Sequence, residues 1–430
     1  DEKTATIKML ITYVRDLPNN NEKGRYMALD LGGTNFRVIL IDLNTKEAKM
    51  ESEIFKIPDQ LMASDGVLLF DFIADCITQF AAKHKLDTIR IALGFTFSFP
   101  CVQYGLSQAK LVTWTKGFRC PNVVNRDVVK LLKEALKRKS HVSNAFVDIV
   151  ALINDTTGTL MSCAHKNPDC NVGLIVGTGT NACYIEKLEN IEKWPSNYGE
   201  PNQVVINTEW GAFGDNNVID WLRTKWDKEI DSKSVNKGKQ AFEKMVSGLY
   251  LGECVRLVLL SLIKEKLLFK GQTPPNLLNM HSLSAKNVSK IDQDFETGRF
   301  TETQKLLNRD FTKEYTITDL HIISLANSRV SRRAAHLVAV GCATLLNRIQ
   351  KERNTIAFDG SVIKLHPHFK RWVKEKISQL VKPEIKFNLM LSEDGSGRGA
   401  AIVAAVSYRS KRPKLIKKDK KVYEIETYIH

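Results

Sequence analysis

Two glycine turns constrain this chain more than any other feature. "LDLGGTNFRV" covers Leu29–Val38 and "VGTGTNACYI" covers Val176–Ile185, so Gly33-Thr34-Asn35 falls on Gly179-Thr180-Asn181, 179 − 33 = 146 residues later. Each triplet follows one apolar run and leads into another, which reads as strand, glycine turn, strand. A repeat at domain scale predicts two similar sheets, each with a glycine hairpin pointing into a shared cleft. A chance match of three residues is the competing reading.

The rest of the chain fits an α/β pattern. Arg25–Asp42 reads as strand, turn, strand. Val67–His84 carries Leu69, Phe72, Ile73, Cys76, Ile77 and Phe80 at spacings of three and four, the period of a helix with one buried face. Ile89–Phe95, Phe146–Ile153 and Val172–Gly177 are short apolar runs that read as buried strands, and "TIAFDGS" and "IKFNLMLSEDGSG" read as late strands ending in glycine turns. Met245–Phe269 and Arg329–Ile349 read as long helices. Strands alternating with helices predict sheets covered by helices. Gln272–Asp319 is polar and assigns to no element. No Pro/Ser linker divides the 430 residues, which suffice for two closely packed domains.

Composition excludes several classes. No apolar run approaches the ~20 residues of a membrane span. The start, "DEKTATIKML", has no signal-peptide pattern, and its abruptness suggests a natural chain that begins earlier. Eight cysteines without a C-x-x-C pair predict reduced, mostly buried thiols and a cytoplasmic setting. The net charge of +15 raises the question of nucleic acid, but Tyr408–Lys421 alone carries eight Lys/Arg and one Asp, leaving 15 − 7 = +8 for all other residues. No nucleic-acid partner is expected. The basic tail reads as a solvated, disordered end, with a nuclear or organelle address or an acidic partner as the alternative.

Glycine lets successive backbone N–H groups approach an anion, and a neighbouring hydroxyl adds a donor. "DLGGTN", "GTGTN", "FDGS" (Phe358–Ser361) and "EDGSGRGAA" (Glu393–Ala401) all have this character, and the last leads into a helix starting near Gly399. Taken singly, each is a tight turn. Four together predict phosphate cradles. There is no G-x-x-x-x-G-K-[ST] and no G-x-G-x-x-G opening a helix after an early strand, so neither a P-loop nor a Rossmann site is the device. Asp30 among phosphate donors makes sense if a magnesium ion rides on the phosphates and Asp30 reaches it through water. Its alternative role is an Asx turn.

A second set of polar residues sits in apolar surroundings. "LINDTTGTL" ends a strand with Asn154-Asp155 and opens a helix, where Asp155 and Thr156 suit a helix cap but also the ligand-binding end of a strand. Ser98 lies in "GFTFSFP", Thr115-Lys116 in "WTKGF" and Glu209 in "NTEWGAFGD". Gln240 and Glu243 are one helical turn apart and so share a groove. Such acceptors and amides suit an uncharged, polyhydroxylated ligand.

Met27–Val38, "LGFTFSFPC", "WTKGF", "NDTTGTL", "VGLIVGTGTNACYIE", "NTEWGAFGD", "KQAFEKMVSGLYLGE", "FDGSVIKLHPHF" and "LSEDGSGRGAA" together closely resemble the eukaryotic hexokinase/glucokinase family, in the family's order and across nearly the whole chain. The resemblance implies a two-lobed actin-like ATPase (ribonuclease H-like) fold with an inter-lobe cleft. Residues 1–153 form its small lobe, a last helix at about 399–408 packs back on that lobe, 154–398 form the large lobe, and 409–430 are the tail. It implies ATP- and Mg2+-dependent phosphorylation of glucose, fructose and mannose at the 6-hydroxyl, the first step of glycolysis.

The resemblance also places residues. Sugar ligands fall on Ser98, Thr115, Lys116, Asn154, Asp155, Asn181, Glu209, Gln240 and Glu243. Catalysis falls on Asp155 as base, with Lys116 and Arg37. Nucleotide and phosphate contacts fall on Asp30, Gly32, Gly33, Thr34, Asn35, Gly177, Thr178, Gly179, Thr180, Gly248, Ser289, Asp359, Gly360, Ser361, Ser396, Gly397 and Gly399, with Asp30 reaching the metal through water. Some of these turns hold glucose 6-phosphate in members that the product inhibits. Ala285 stands where the family usually has a nucleotide-contacting threonine. One catalytic unit is present, so the tandem arrangement of some animal members is not expected. A sugar sensor, an actin-like or chaperone-type ATPase, and a kinase for another sugar or an N-acyl hexosamine are the competing functions.

Overall fold

The computed structural model describes residues 4–33, 35–44, 48–86, 89–114, 117–139, 146–194, 199–410, 416–418 and 421–423. The chain forms two compact units. The first comprises Leu10–Pro168, Ile185–Ile206 and Glu393–His430, and the second Asp1–Met9, Asp169–Tyr184 and Asn207–Ser392.

In the first unit, β1 (Arg25–Leu31), β2 (Asn35–Asp42), β3 (Lys49–Lys56), β4 (Arg90–Phe97) and β5 (Phe146–Ile153) form one sheet in the order β3-β2-β1-β4-β5. β1 and β2 are the first glycine hairpin, antiparallel, with Asp30 opposite Arg37. β4 runs parallel to β1, and β5 parallel to β4. Alternation along β1 sends Met27, Leu29 and Leu31 into a core shared with α1 (Gly66–Lys83) and α2 (Val128–Lys139). Asp65 caps α1 by accepting the Val67 N–H, so the expected helix is present within one residue. Ile39 and Gly94 instead meet the last helix, Gly395–Ser410. That contact demands small residues: a Cβ on Gly94 would stand 2.0 Å from the Ala400 carbonyl oxygen. The same helix packs on α3 (Asp155–Ala164), where a Cβ on Gly399 would stand 2.0 Å from the Gly158 carbonyl oxygen. The expected boundary after residue 153 therefore falls inside this unit. Most of the basic tail lies outside the described residues; residues 416–418 and 421–423 pair as two short antiparallel strands.

In the second unit, β6 (Cys170–Val176), β7 (Thr180–Lys187), β8 (Arg353–Asp359) and β9 (Lys386–Leu391) run in the order β7-β6-β8-β9. This is the β2-β1-β4-β5 pattern again: an antiparallel glycine hairpin followed by two parallel strands. The repeat in the sequence is a repeat in topology.

The helices of this unit correct three expectations. The apolar run from Met245 to Phe269 is not one helix but the end of α4 (Ala241–Val246), then α5 (Gly248–Lys264), then a short 3-10 turn. Ser247 between them is extended, with ψ 157°, because Gly248 and Leu249 turn their N–H groups onto the Gly177 and Thr178 carbonyls. The polar region after Gln272 holds α6 (Ala285–Thr297) and further short turns. It runs into α7 (Ile317–Ile349), which starts twelve residues before Arg329 at a Thr316/Asp319 capping box. α8 (Ser361–Leu365) and α9 (Phe369–Leu380) follow β8. All eight cysteines are free thiols, and seven are buried. Burial pushes Cys342 up to about 12.

Candidate functional site

Register builds the edge of the first sheet. Leu31 lies level with Phe97, and Thr96 with Ile153, so the three parallel strands end together. The next residues are Gly32-Gly33, Ser98 and Asn154-Asp155. The Ser98 N–H donates to the Leu31 carbonyl at 3.2 Å, which ties its loop to the glycine turn. The carboxyl ends of parallel strands are where open α/β sheets bind ligands.

Asn154 is the cap of α3. Its Oδ1 accepts the Thr156 N–H at 3.0 Å and the Thr156 hydroxyl at 2.7 Å. Asp155 is the first helical residue rather than the cap, and its Oδ1 accepts the same N–H at 2.8 Å. Its carboxylate is half-buried and held by its own helix.

Asp30 makes an ion pair, not an Asx turn. Its Oδ2 accepts from Arg37 Nη2 at 2.9 Å and from the Ser396 hydroxyl at 2.7 Å. Arg37 Nη2 also meets Asp394 Oδ1 at 2.5 Å. Burial alone lowers the guanidinium's pKa, but bonds and charges from Asp30 and Asp394 outweigh it and leave it raised. Asp394 was missed in the sequence, although an acid beside "GSG" was a signal; its φ of 51° marks the turn. The last helix begins at Gly395, not near Gly399. Ser396 and Gly397 lie in its first turn, beside Asp30 and Arg37, whereas Gly399 faces the α3 backbone and serves helix packing. A Cβ on Gly32 or Gly33 would meet nothing within 4 Å, so the turn is open. Asn35 begins β2 and is exposed.

The second unit gathers the other polar residues. Glu209 Oε1 accepts from Asn181 Nδ2 at 3.0 Å and from Asn207 Nδ2 at 2.8 Å, and Asn181 Nδ2 also reaches Asn207 Oδ1 at 2.8 Å. Asn207 is a further member that sequence reasoning missed. Glu243 Oε2 accepts the Thr180 N–H at 2.9 Å, which docks α4 on the hairpin. Gln240 precedes α4 instead of lying one turn back within it. Gln240 and Glu209 both adopt left-handed backbone, with φ of 58° and 52°; non-glycine residues held there mark a site whose surroundings fix the geometry.

The phosphate-cradle candidates of this unit divide in two. Thr180 is engaged by the fold: its hydroxyl donates to the Ile175 carbonyl and accepts from Trp210 Nε1. Thr178 is exposed at the turn. Gly248 approaches the hairpin so closely that a Cβ would lie 2.8 Å from the Gly177 oxygen. Gly360, at φ 108°, abuts Val176 and Gly177, so the Asp359–Ser361 turn borders the hairpin. Asp359 Oδ1 pairs with Lys364 Nζ at 2.7 Å. The Ser289 hydroxyl donates to the Ala285 carbonyl one turn back on α6. Thr34, Thr115 and Lys116 lie outside the described residues. Among the described residues no group of three or more His, Cys, Asp or Glu forms a metal-binding cluster, and no helix is long and apolar enough to cross a membrane.

Known proteins match this arrangement. Two family models described as hexokinase cover residues 1–165 and 171–406. Hexokinase-2 of Homo sapiens is 44% identical over 416 residues, 94% of this chain and 44% of that protein. The chain thus spans less than half the length of the curated relatives it matches. A solved hexokinase from Schistosoma mansoni, complexed with glucose, is 40% identical at a TM-score of 0.82, covering 94% of this chain and 90% of that one. Another solved hexokinase is 31% identical at a TM-score of 0.83, with the same coverage of both chains. Mixed sheets flanked by helices, twice over, are the two-lobed actin-like ATPase fold of these structures.

Proposed function

This chain belongs to the hexokinase family, and from that premise we propose that it transfers the γ-phosphoryl group of ATP to the 6-hydroxyl of a hexose, giving hexose 6-phosphate and ADP. Glucose, fructose and mannose are the proposed acceptors. The observation that carries the reading is the shared edge of the first sheet, where register sets Asn154-Asp155, Ser98 and the open Gly32-Gly33 turn side by side.

Phosphoryl transfer asks a protein mainly for alignment and charge stabilisation. Asp155 accepts the proton of the attacking hydroxyl, with its carboxylate oriented by the Thr156 N–H. The amides and carboxylates of Asn154, Asn181, Glu209, Gln240 and Glu243 bind sugar hydroxyls, which both donate and accept. Phosphate oxygens fit the Gly32-Gly33 turn, where a ligand meets no side chain, and the turn formed by Gly177, Thr178 and Gly179. Asp30 is placed beside the first turn by Arg37 and Ser396 and suits a magnesium ion held through water. When bound, that ion neutralises phosphate charge. A product's phosphate fits the same turns, which is the proposed route of inhibition by hexose 6-phosphate.

ADP release with no sugar, glucose, fructose, mannose or N-acetylglucosamine tests this. The proposal expects release that depends on glucose, fructose or mannose. Release independent of sugar supports an ATPase, and no release under any condition supports a sensor.

A further inference from the structure

A fully buried carboxylate in the second unit has no role in the site as described. Asp292 lies on α6 with its side chain 0% exposed. Its Oδ2 meets His366 Nε2 at 2.8 Å, and its main-chain oxygen meets His368 Nε2 at 2.9 Å. His366 Nδ1 accepts two backbone N–H groups, from His368 and Phe369, each at 3.2 Å. The His366 proton therefore sits on Nε2 and points at Asp292. Asp292 Oδ1 has no hydrogen-bond partner among the described residues. As a stabiliser the pair is poor, because a half-satisfied buried carboxylate costs more than an apolar pair of the same shape.

What the pair joins explains it better. Ala285, Ser289 and Asp292 stand at i, i+4 and i+7, on one face of α6. At the head of that face, the Ala285 side chain lies 3.5 Å from where a Cβ on Gly248 would stand. Val362 of α8 lies 2.9 Å from the same point. His366 ends α8 by donating its N–H to the Val362 carbonyl, and α8 begins at the Asp359–Ser361 turn. The Asp292–His366 bond thus ties the helix carrying Ser289 to the turn carrying Asp359, Gly360 and Ser361. Both flank the place where Gly248 touches Gly177.

We propose that Asp292 is a positioning residue for the nucleotide, fixing α6 and the Asp359–Ser361 turn at one spacing through His366. The proposal rests on the reading that these turns hold ATP; it does not need a hexose as acceptor. Loss of the bond loosens groups that touch only the nucleotide, so it weakens ground state and transition state alike and moves KM rather than kcat.

The test measures the dissociation constant for ATP by equilibrium dialysis without sugar, and KM for ATP, KM for glucose and kcat, in the wild type, Asp292→Ala, Asp292→Asn and His366→Phe. Asp292→Ala and His366→Phe are expected to raise the ATP constants about tenfold, of the order of one lost charge-assisted hydrogen bond. KM for glucose and kcat stay within about twofold. Asp292→Asn keeps an acceptor for the imidazole N–H and is expected to restore ATP binding to within about threefold. If Asp292→Ala fails to fold, His366→Phe, which keeps a ring in the cavity, decides the matter. Unchanged ATP binding in the folded variants, a parallel rise in the constants for ATP and glucose, or a wild type that binds no ATP overturns the proposal. A wild type that binds ATP yet shows no sugar-dependent ADP release defeats only the hexose reading, and the dialysis result still decides this one.

Discussion

A side chain at Gly33 would stand in open space, whereas one at Gly179 would meet the Glu243 carboxylate at 2.6 Å. The two residues are equivalent in the sequence repeat and in the sheet topology, yet their glycines answer different demands. At the second hairpin the neighbours require glycine: Glu243 closes on Gly179, Gly360 and Ser361 stand 3.4 Å from a Cβ on Gly177, and α5 begins against the Gly177 oxygen. At the first hairpin packing requires nothing of Gly32 or Gly33. There the neighbours are charged groups, Asp30 with Arg37 and Asp394, and the strand end that carries Asp155. The second hairpin is a packed platform, and the first is an open turn beside the proposed chemistry.

The largest effect is expected at the open side. Asp155→Ala should lower kcat about 10²–10⁴-fold, the range of a lost general base, with glucose binding kept within about tenfold. Steady-state kinetics beside glucose titration checks this, and near-normal turnover removes Asp155 from the mechanism. Next is Gly179→Ala, which forces the Glu243 carboxylate away from the Thr180 N–H. Its KM for glucose should rise about tenfold, and its melting temperature should fall by a few degrees, as for a loss of about 1 kcal/mol.

Acid offers a smaller effect on the packed side. Burial raises the pKa of Glu253 on α5, but the Arg256 guanidinium and the His281 N–H outweigh it and hold the carboxylate below its ordinary 4.5. A depressed folded pKa means stability that is present above about pH 4.5 and is lost as pH falls through the lower folded value. Melting temperature should therefore fall with pH below 4.5 in the wild type and fall less steeply in Glu253→Gln. Identical pH profiles would sink that assignment. The smallest structural effect belongs to Gly33→Ala. Its stability should stay within about 0.5 kcal/mol of the wild type, while its KM for ATP rises. A destabilisation as large as that of Gly179→Ala would erase the contrast between the hairpins.

The hairpins were legible because each is a pair of apolar runs interrupted by a glycine turn, with Gly-Thr-Asn repeated in both. Ser98, Asn154, Asp155 and Glu209 stood out as polar residues at strand ends or in apolar surroundings, Glu243 by its spacing from Gln240 and Asn181 only through the family resemblance; Ser98, Asn154 and Asp155 lie at one sheet edge, and Asn181, Glu209 and Glu243 around the second hairpin. The break at Ser247 was not legible, since "FEKMVSGLYLGE" keeps its apolar pattern through it and the cause is a hydrogen bond to Gly177, seventy-one residues earlier. The start of α7 was hidden in a polar stretch because its signal is a two-residue cap, not a pattern. The pairing of Asp394 with Arg37 and of Ser396 with Asp30 could not be assigned from sequence, because pairing across more than 350 residues leaves no local trace. Gly399 looked like a phosphate turn because close helix packing and a phosphate cradle both call for glycine.

The central claim is that a sugar hydroxyl, and not water, receives the phosphoryl group. Phosphorus NMR of the full chain incubated with ATP, magnesium and glucose follows the transferred group itself. The account predicts a single phosphomonoester coupled to the protons of carbon 6, growing in step with ADP. Inorganic phosphate growing in step with ADP, with no sugar ester, would contradict it.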